Sequence, residues 1–110
     1  MQIEKHNNLV KLFDIYGKLL SNRQFEVIDK VLNYDIGVSE LAELEGESRQ
    51  SVHDAINKAK KQLYSFEEKC KILEKLETIN NELNIIKSKL KNDDTKELSH
   101  QIDAIIDKLN

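Results

Sequence analysis

The sequence predicts an all-α protein: a helix-turn-helix domain of about four helices, extended by a long C-terminal helix and a final amphipathic helix. Three observations carry that prediction. Proline is absent and glycine occurs only at Gly17, Gly37 and Gly46, so little interrupts a helix elsewhere. Apolar residues recur at steps of three and four, and no β-branched run alternates with period two. Finally, Ser39 to Ala59 reads SELAELEGESRQSVHDAINKA, the form of a short helix, a Gly-centred turn and a second helix opening on Ser-Arg-Gln.

The elements follow in order. Leu9, Leu12, Phe13, Tyr16, Leu19 and Leu20 form one apolar stripe, which predicts a first helix over His6 to Tyr16 ending near Gly17. Ser21 followed by Gln24 is a capping-box signature, and a second helix is expected from Asn22 to Asn33 with Phe25, Ile28 and Leu32 inward. Asp35, Ile36 and Gly37 make a turn. Ser39 is the expected cap of a third helix burying Leu41, Ala42 and Leu44. Gly46, where a positive φ is easiest for glycine, ends it, and Ser48 caps the fourth.

That fourth helix is expected to run on. Val52, Ile56, Ala59, Leu63, Phe66, Cys70 and Leu73 recur at coiled-coil spacing, and Ile72, Leu76, Ile79, Leu83, Ile86 and Leu90 form a second such series in a different phase. With no glycine or proline between them, one helix to about Lys91 is predicted, with a change of winding or a break where the phase shifts. Asn92 to Asp94 signal a turn, with Asp94 and Glu97 as a further capping box. Leu98, Ile102, Ile105 and Leu109 mark a last amphipathic helix. The expected division is a helix-turn-helix domain over residues 1–68 and a helical extension over 69–110. The extension serves as an intramolecular hairpin, a homodimer seam or a groove for a partner helix, and the spacing supports each.

Composition narrows the classes. The 110 residues are 39% hydrophobic and 34% charged, which fits one small amphipathic helical unit. The net charge of -3 is uneven: Met1 to Ser48 carries five Lys/Arg against nine Asp/Glu, Arg49 to Lys75 seven against four, and Leu76 to Asn110 five against seven. The one basic segment therefore holds the candidate recognition helix. This suits a local polyanion contact and not a broad non-specific binder. Cys70 is the single cysteine, which excludes an internal disulfide and a thiolate zinc site, and its place in an apolar series predicts a small buried hydrophobe. There is no secretory signal and no apolar run near the ~18 residues of a membrane span, so a soluble cytoplasmic protein is expected.

With IEK (Ile3 to Lys5), LFDIY (Leu12 to Tyr16), Leu19, Leu20, Gln24, SELAEL (Ser39 to Leu44), SRQSVHDAI (Ser48 to Ile56) and FEEK (Phe66 to Lys69) in this order, the chain resembles the YlxM-like family. These are small bacterial proteins related in fold to the fourth region of sigma factors. The match covers about the first seventy residues. The resemblance implies a link to the signal recognition particle: family members are typically encoded beside the particle's GTPase and are thought to modulate its pathway. Two positions depart from the family pattern. Glu45 stands where a large apolar residue precedes the glycine, and Glu47 where a valine usually follows it. The turn is accordingly expected to be looser or rearranged, with Leu44 taking over some packing and the two carboxylates repelling phosphate.

Were the fourth helix to read a duplex, Arg49, Gln50, His53 and Asn57 would be its outward residues, since Arg pairs bidentately with guanine and Gln with adenine. Lys58, Lys60 and Lys61 would lie nearer the backbone as phosphate contacts. The competing readings are a solvated helix face and a protein contact. His6, His53 and His100 are scattered, with no metal-ligand neighbour at helical spacing, and no Gly-rich phosphate loop occurs. The expectation is thus a non-enzymatic protein without cofactor or metal. Its partner would be the particle's RNA or GTPase, with duplex DNA and sequence-specific transcription regulation as the alternative, and homodimerisation would run through the C-terminal helices.

Overall fold

The computed structural model describes residues 2–90 and 95–109; the predicted turn at Asn92 to Asp94 and its capping box lie outside the described residues. All regular structure among the described residues is helical: α1 (Gln2–Tyr16), a single 3-10 turn (Gly17–Leu19), α2 (Asn22–Asn33), α3 (Val38–Glu45), α4 (Arg49–Cys70), α5 (Ile72–Leu90) and α6 (Thr95–Leu109). The chain divides into two compact units, one ending at Lys71 and the other beginning at Ile72.

In the first unit α4 is the central element, packed against α1, α2 and α3. Its inward stripe, Val52, Ile56, Ala59 and Leu63, meets Leu9, Leu12, Phe13 and Tyr16 of α1, Val27 and Ile28 of α2, and Leu41 and Ala42 of α3 in one buried core. Burying an aliphatic side chain of this size contributes about 1.5–3 kcal/mol, so this core is the main source of the unit's stability. Aromatic contacts finish it at one end: the rings of Phe13 and Phe25 lie 4.9 Å apart and those of Tyr16 and Phe66 6.0 Å apart. The buried Tyr16 hydroxyl donates to Glu67 at 2.7 Å, which satisfies its polar end. A β-carbon on Gly17 would come within 3.0 Å of the Phe13 ring, so glycine keeps the α1–α2 junction close.

The caps explain where helices start. The Ser21 hydroxyl accepts from the Gln24 N–H and the Gln24 side chain accepts from the Ser21 N–H, the full capping box. Ser48 accepts from the Ser51 N–H at 3.1 Å. Ser39 is not a cap: α3 begins one residue earlier, with Gly37 as N-cap in extended backbone and without a side-chain cap bond. Asp35, at φ 52°, takes the left-handed conformation that Asp tolerates better than most residues.

Several expected burials do not occur. Leu19 is exposed because the helical phase of α1 ends at Tyr16 and the 3-10 turn rotates it outward. Leu44 is 68% exposed, since Leu41 and Ala42 already fill the contact with α4. Cys70 is exposed as well: Tyr16, the last residue of α1, reaches Phe66 and Glu67, and Cys70 lies a turn beyond.

The long helix is broken. Lys71 adopts φ 54° and its N–H bonds the Glu67 carbonyl at 2.8 Å, ending α4 where the two apolar series change phase. A non-glycine residue in this conformation costs about 1–2 kcal/mol, and the break lets each apolar series keep its own phase. The second unit is an α5–α6 hairpin around Ile86, Leu98 and Ile105, with Ile79 packed against them. No helix among the described residues is long and apolar enough to cross a membrane.

Candidate nucleic-acid interface

The α3–turn–α4 unit is built by one backbone device. Gly46 has φ 65°, the Glu47 N–H reaches back to the Ala42 carbonyl at 2.9 Å, and the Gly46 N–H lies 3.3 Å from the Glu43 carbonyl. This is a Schellman closure, which satisfies the last carbonyls of α3 and reverses the chain within three residues. Ser48 then opens α4.

The two carboxylates beside the glycine do not loosen this turn. Glu45 accepts from Lys30 at 3.0 Å and from Arg23 at 3.4 Å, and Arg23 also pairs with Glu47. Two cations of α2 thus hold the turn where apolar contacts were expected, and Leu44 takes no part. The Lys30 hydrogen bond, in the main, lowers the Glu45 pKa from its ordinary 4.5; partial burial opposes the shift, and the charges of Lys30 and Arg23 reinforce it. With their charge answered in this way, Glu45 and Glu47 repel phosphate less than bare carboxylates would.

Beyond the turn, α4 places the sequence-predicted residues unequally. Arg49, Gln50, His53, Asn57 and Lys61 are all exposed, opposite or flanking the buried stripe. Two pairs are preset by helical spacing: Gln50 donates to Asp54 at 2.9 Å, and Asn57 and His53 share a hydrogen bond at 3.0 Å. At about 100° per residue Lys60 falls between Arg49 and His53 on one flank of the helix, and Lys58 falls on the opposite flank beyond Lys61. Lys58 borders a concavity with Ser21, Gln24 and Asp54 beside the start of α2, whereas the half-buried Lys60 borders another with Leu9, Leu32 and Tyr64. A third hollow on the outer surface brings Lys60 and Lys61 together with Asn57, Tyr64 and Glu68.

Two contributors were missed in the sequence. Asp54 orients Gln50 and adds a negative charge to the face; its spacing of four from Gln50 was the available signal. Tyr64, 47% exposed beside Lys60 and Lys61, offers a stacking surface beyond the first turns of α4, where the sequence pattern carries no signal for it. Among the described residues no group of three or more His, Cys, Asp or Glu is placed to hold a metal ion.

Comparison with known proteins adds a family. Residues 3–105 match the family UPF0122, described as "Putative helix-turn-helix protein, YlxM / p13 like". A UPF0122 protein of Clostridium acetobutylicum is 32% identical over 111 residues, covering 94% of this chain and 96% of that protein. One from Acetivibrio thermocellus is 43% identical over 77 residues, 69% of this chain and 66% of its own length. Another from Clostridium perfringens is 37% identical over 75 residues, 68% of this chain and 67% of its own length.

Proposed function

Because the chain belongs to the UPF0122 family of YlxM- and p13-like helix-turn-helix proteins, we propose that it is a non-enzymatic cytoplasmic regulator of the signal recognition particle pathway. In this reading the outer face of α4 binds nucleic acid, with the particle's RNA as its ligand and the GTPase as the other candidate partner. The C-terminal hairpin pairs two copies. The observation that carries the reading is the helix-turn-helix itself: α4 is held from behind by a complete core and presents Arg49, Gln50, His53, Asn57 and Lys61 on one exposed side.

The division into a binding domain over residues 1–68 and an association element over 69–110 belongs to the same proposal. An A-form groove is too narrow for ordinary side-chain readout, so the RNA contacts would be to backbone and to unpaired loop bases. Arg49 and Lys61 suit phosphate, Gln50 and Asn57 suit base edges, and Tyr64 suits stacking. Lys58 and Lys60, on separate flanks, would reach strands on either side of the helix. The alternative, sequence-specific binding of duplex DNA, draws on Arg49 and Gln50 standing in the first turn of α4, where a recognition helix meets base edges.

Fluorescence anisotropy with labelled signal-recognition RNA and random duplex DNA as competitor tests the proposal. The expected result is salt-sensitive binding that DNA does not displace. Displacement by DNA would favour the transcriptional alternative, and absence of binding to either would retire the nucleic-acid reading in favour of the GTPase.

A further inference from the structure

The second unit leaves one side of its hairpin uncovered. Its core is three residues, Ile86, Leu98 and Ile105, each below 9% exposed, on helices of 19 and 15 residues. Units this small seldom stand on their own burial and usually need a partner, a metal or a disulfide. Yet Leu76, Leu83 and Leu90 of α5 and Ile102, Ile106 and Leu109 of α6 are each 46–68% exposed.

These six share a face. On α5, Leu83 sits about 60° round from the buried Ile86; on α6, Ile102 sits about 60° round from Ile105 in the same sense. In an antiparallel pair, equal rotation in the same sense brings both sets to the same side. The ion pairs check this geometry: Glu82 with Lys108 and Lys89 with Glu97 lie on the other side of the contact line and close the opposite face. Among the described residues, one face of the hairpin carries both ion pairs and a single half-exposed aliphatic residue, Ile85, while the other gathers six.

We infer that this open face binds the same face of a second copy of the chain, forming an antiparallel four-helix bundle in which α5 lies against the partner's α6. The inference rests on the pairing assigned to the hairpin above and is independent of what α4 binds. Two observations favour a second copy. Six half-exposed aliphatic side chains, on the order of 100 Å² each, approach the roughly 800 Å² per partner of a standard interface. The charges at the rim are also self-complementary. The ion-pair register sets Lys87 of α5 and Asp103 of α6 at nearly the same level on opposite edges of the apolar face. A two-fold axis parallel to the helices then brings each Lys87 beside the partner's Asp103, twice per dimer. A two-fold axis perpendicular to the helices would set α5 against the partner's α5 and would not pair Lys87 with Asp103.

Sedimentation of the full chain at tens of micromolar tests the inference. The wild type is expected to sediment at twice its 12.8 kDa mass. Leu83→Asp with Ile102→Asp should give a monomer whose first unit stays folded on its own core, with any loss of circular dichroism limited to the share of the hairpin. Lys87→Glu should weaken dimerisation roughly tenfold, the effect of turning two rim attractions into repulsions, and adding Asp103→Lys should restore it. A monomeric wild type overturns the pairing itself. A dimer in which the Lys87→Glu loss is not rescued by Asp103→Lys overturns this arrangement while leaving pairing in place. Neither result bears on the RNA titration, so the two proposals fail separately.

Discussion

Gly46 carries the tightest local demand in the molecule, because its φ of 65° is set by the hydrogen bonds that end α3. A β-carbon there would meet nothing within 4 Å, so the cost of a substitution is one of backbone conformation and not of space. Gly46→Val should lose about 1–3 kcal/mol, the cost of forcing a β-branched residue into the left-handed region. At about 4–8 °C per kcal/mol for a domain of this size, thermal circular dichroism would register the loss clearly. Gly46→Asn should lose much less. Gly37→Ala is the control: that residue is equally uncrowded but extended, and its melting temperature should not fall. A Gly46→Val protein as stable as wild type would contradict the turn assignment. This position is legible in the sequence, as are Ser21–Gln24 and Ser48, because a glycine between two apolar periodicities and a hydroxyl before a helix carry local signals. Lys71 is not. Its left-handed conformation answers a phase conflict between two helices, and lysine itself announces nothing.

At the scale of elements, α2 holds the α3–α4 turn by charge. Arg23 and Lys30 stand far from Glu45 and Glu47 in sequence, and only the packing of α2 beside the turn brings them together, which is why the sequence alone presents the carboxylates as a weakness. The sign of the pH effect follows from the lowered Glu45 pKa. A group whose pKa falls on folding stabilises the fold above its unfolded value, and that contribution is lost as pH drops through the folded value. Glu45→Gln should therefore be less stable than wild type at pH 7, by under about 1 kcal/mol since the pair is partly exposed. The difference should close as pH falls below 4.5, and it should narrow in high salt. Parallel melting curves at pH 7 and pH 3 check this; a gap as wide at pH 3 as at pH 7 would show that Glu45 acts by shape and not by charge. The hairpin differs in this respect. The α5 and α6 periodicities are readable, but the choice of which apolar positions become core depends on helix register, which Glu82–Lys108 and Lys89–Glu97 accompany at the edge of the contact.

For the whole molecule, charge and burial differ between the two units. The net charge is -3, yet the exposed side of α4 carries Arg49, Lys58 and Lys61 with the carboxylate of Asp54 among them, while the C-terminal hairpin is acidic and offers an apolar face. That division is visible in the segmental charges of the sequence, because Arg49 to Lys75 is the one segment with an excess of Lys and Arg. Which residues form a continuous surface is not visible there, since Lys58 and Lys60 are two apart in sequence but on opposite flanks of one helix. In the proposed function the first turns of α4 form the nucleic-acid contact. The most direct test titrates labelled signal-recognition RNA with the wild type and with Arg49→Ala combined with Gln50→Ala. Both residues are exposed and outside the core, so the melting temperature should be unchanged. Affinity should fall at least roughly tenfold, as loss of two polar contacts of about 1–3 kcal/mol requires. An affinity equal to the wild type's would remove the start of α4 from the interface and contradict the account.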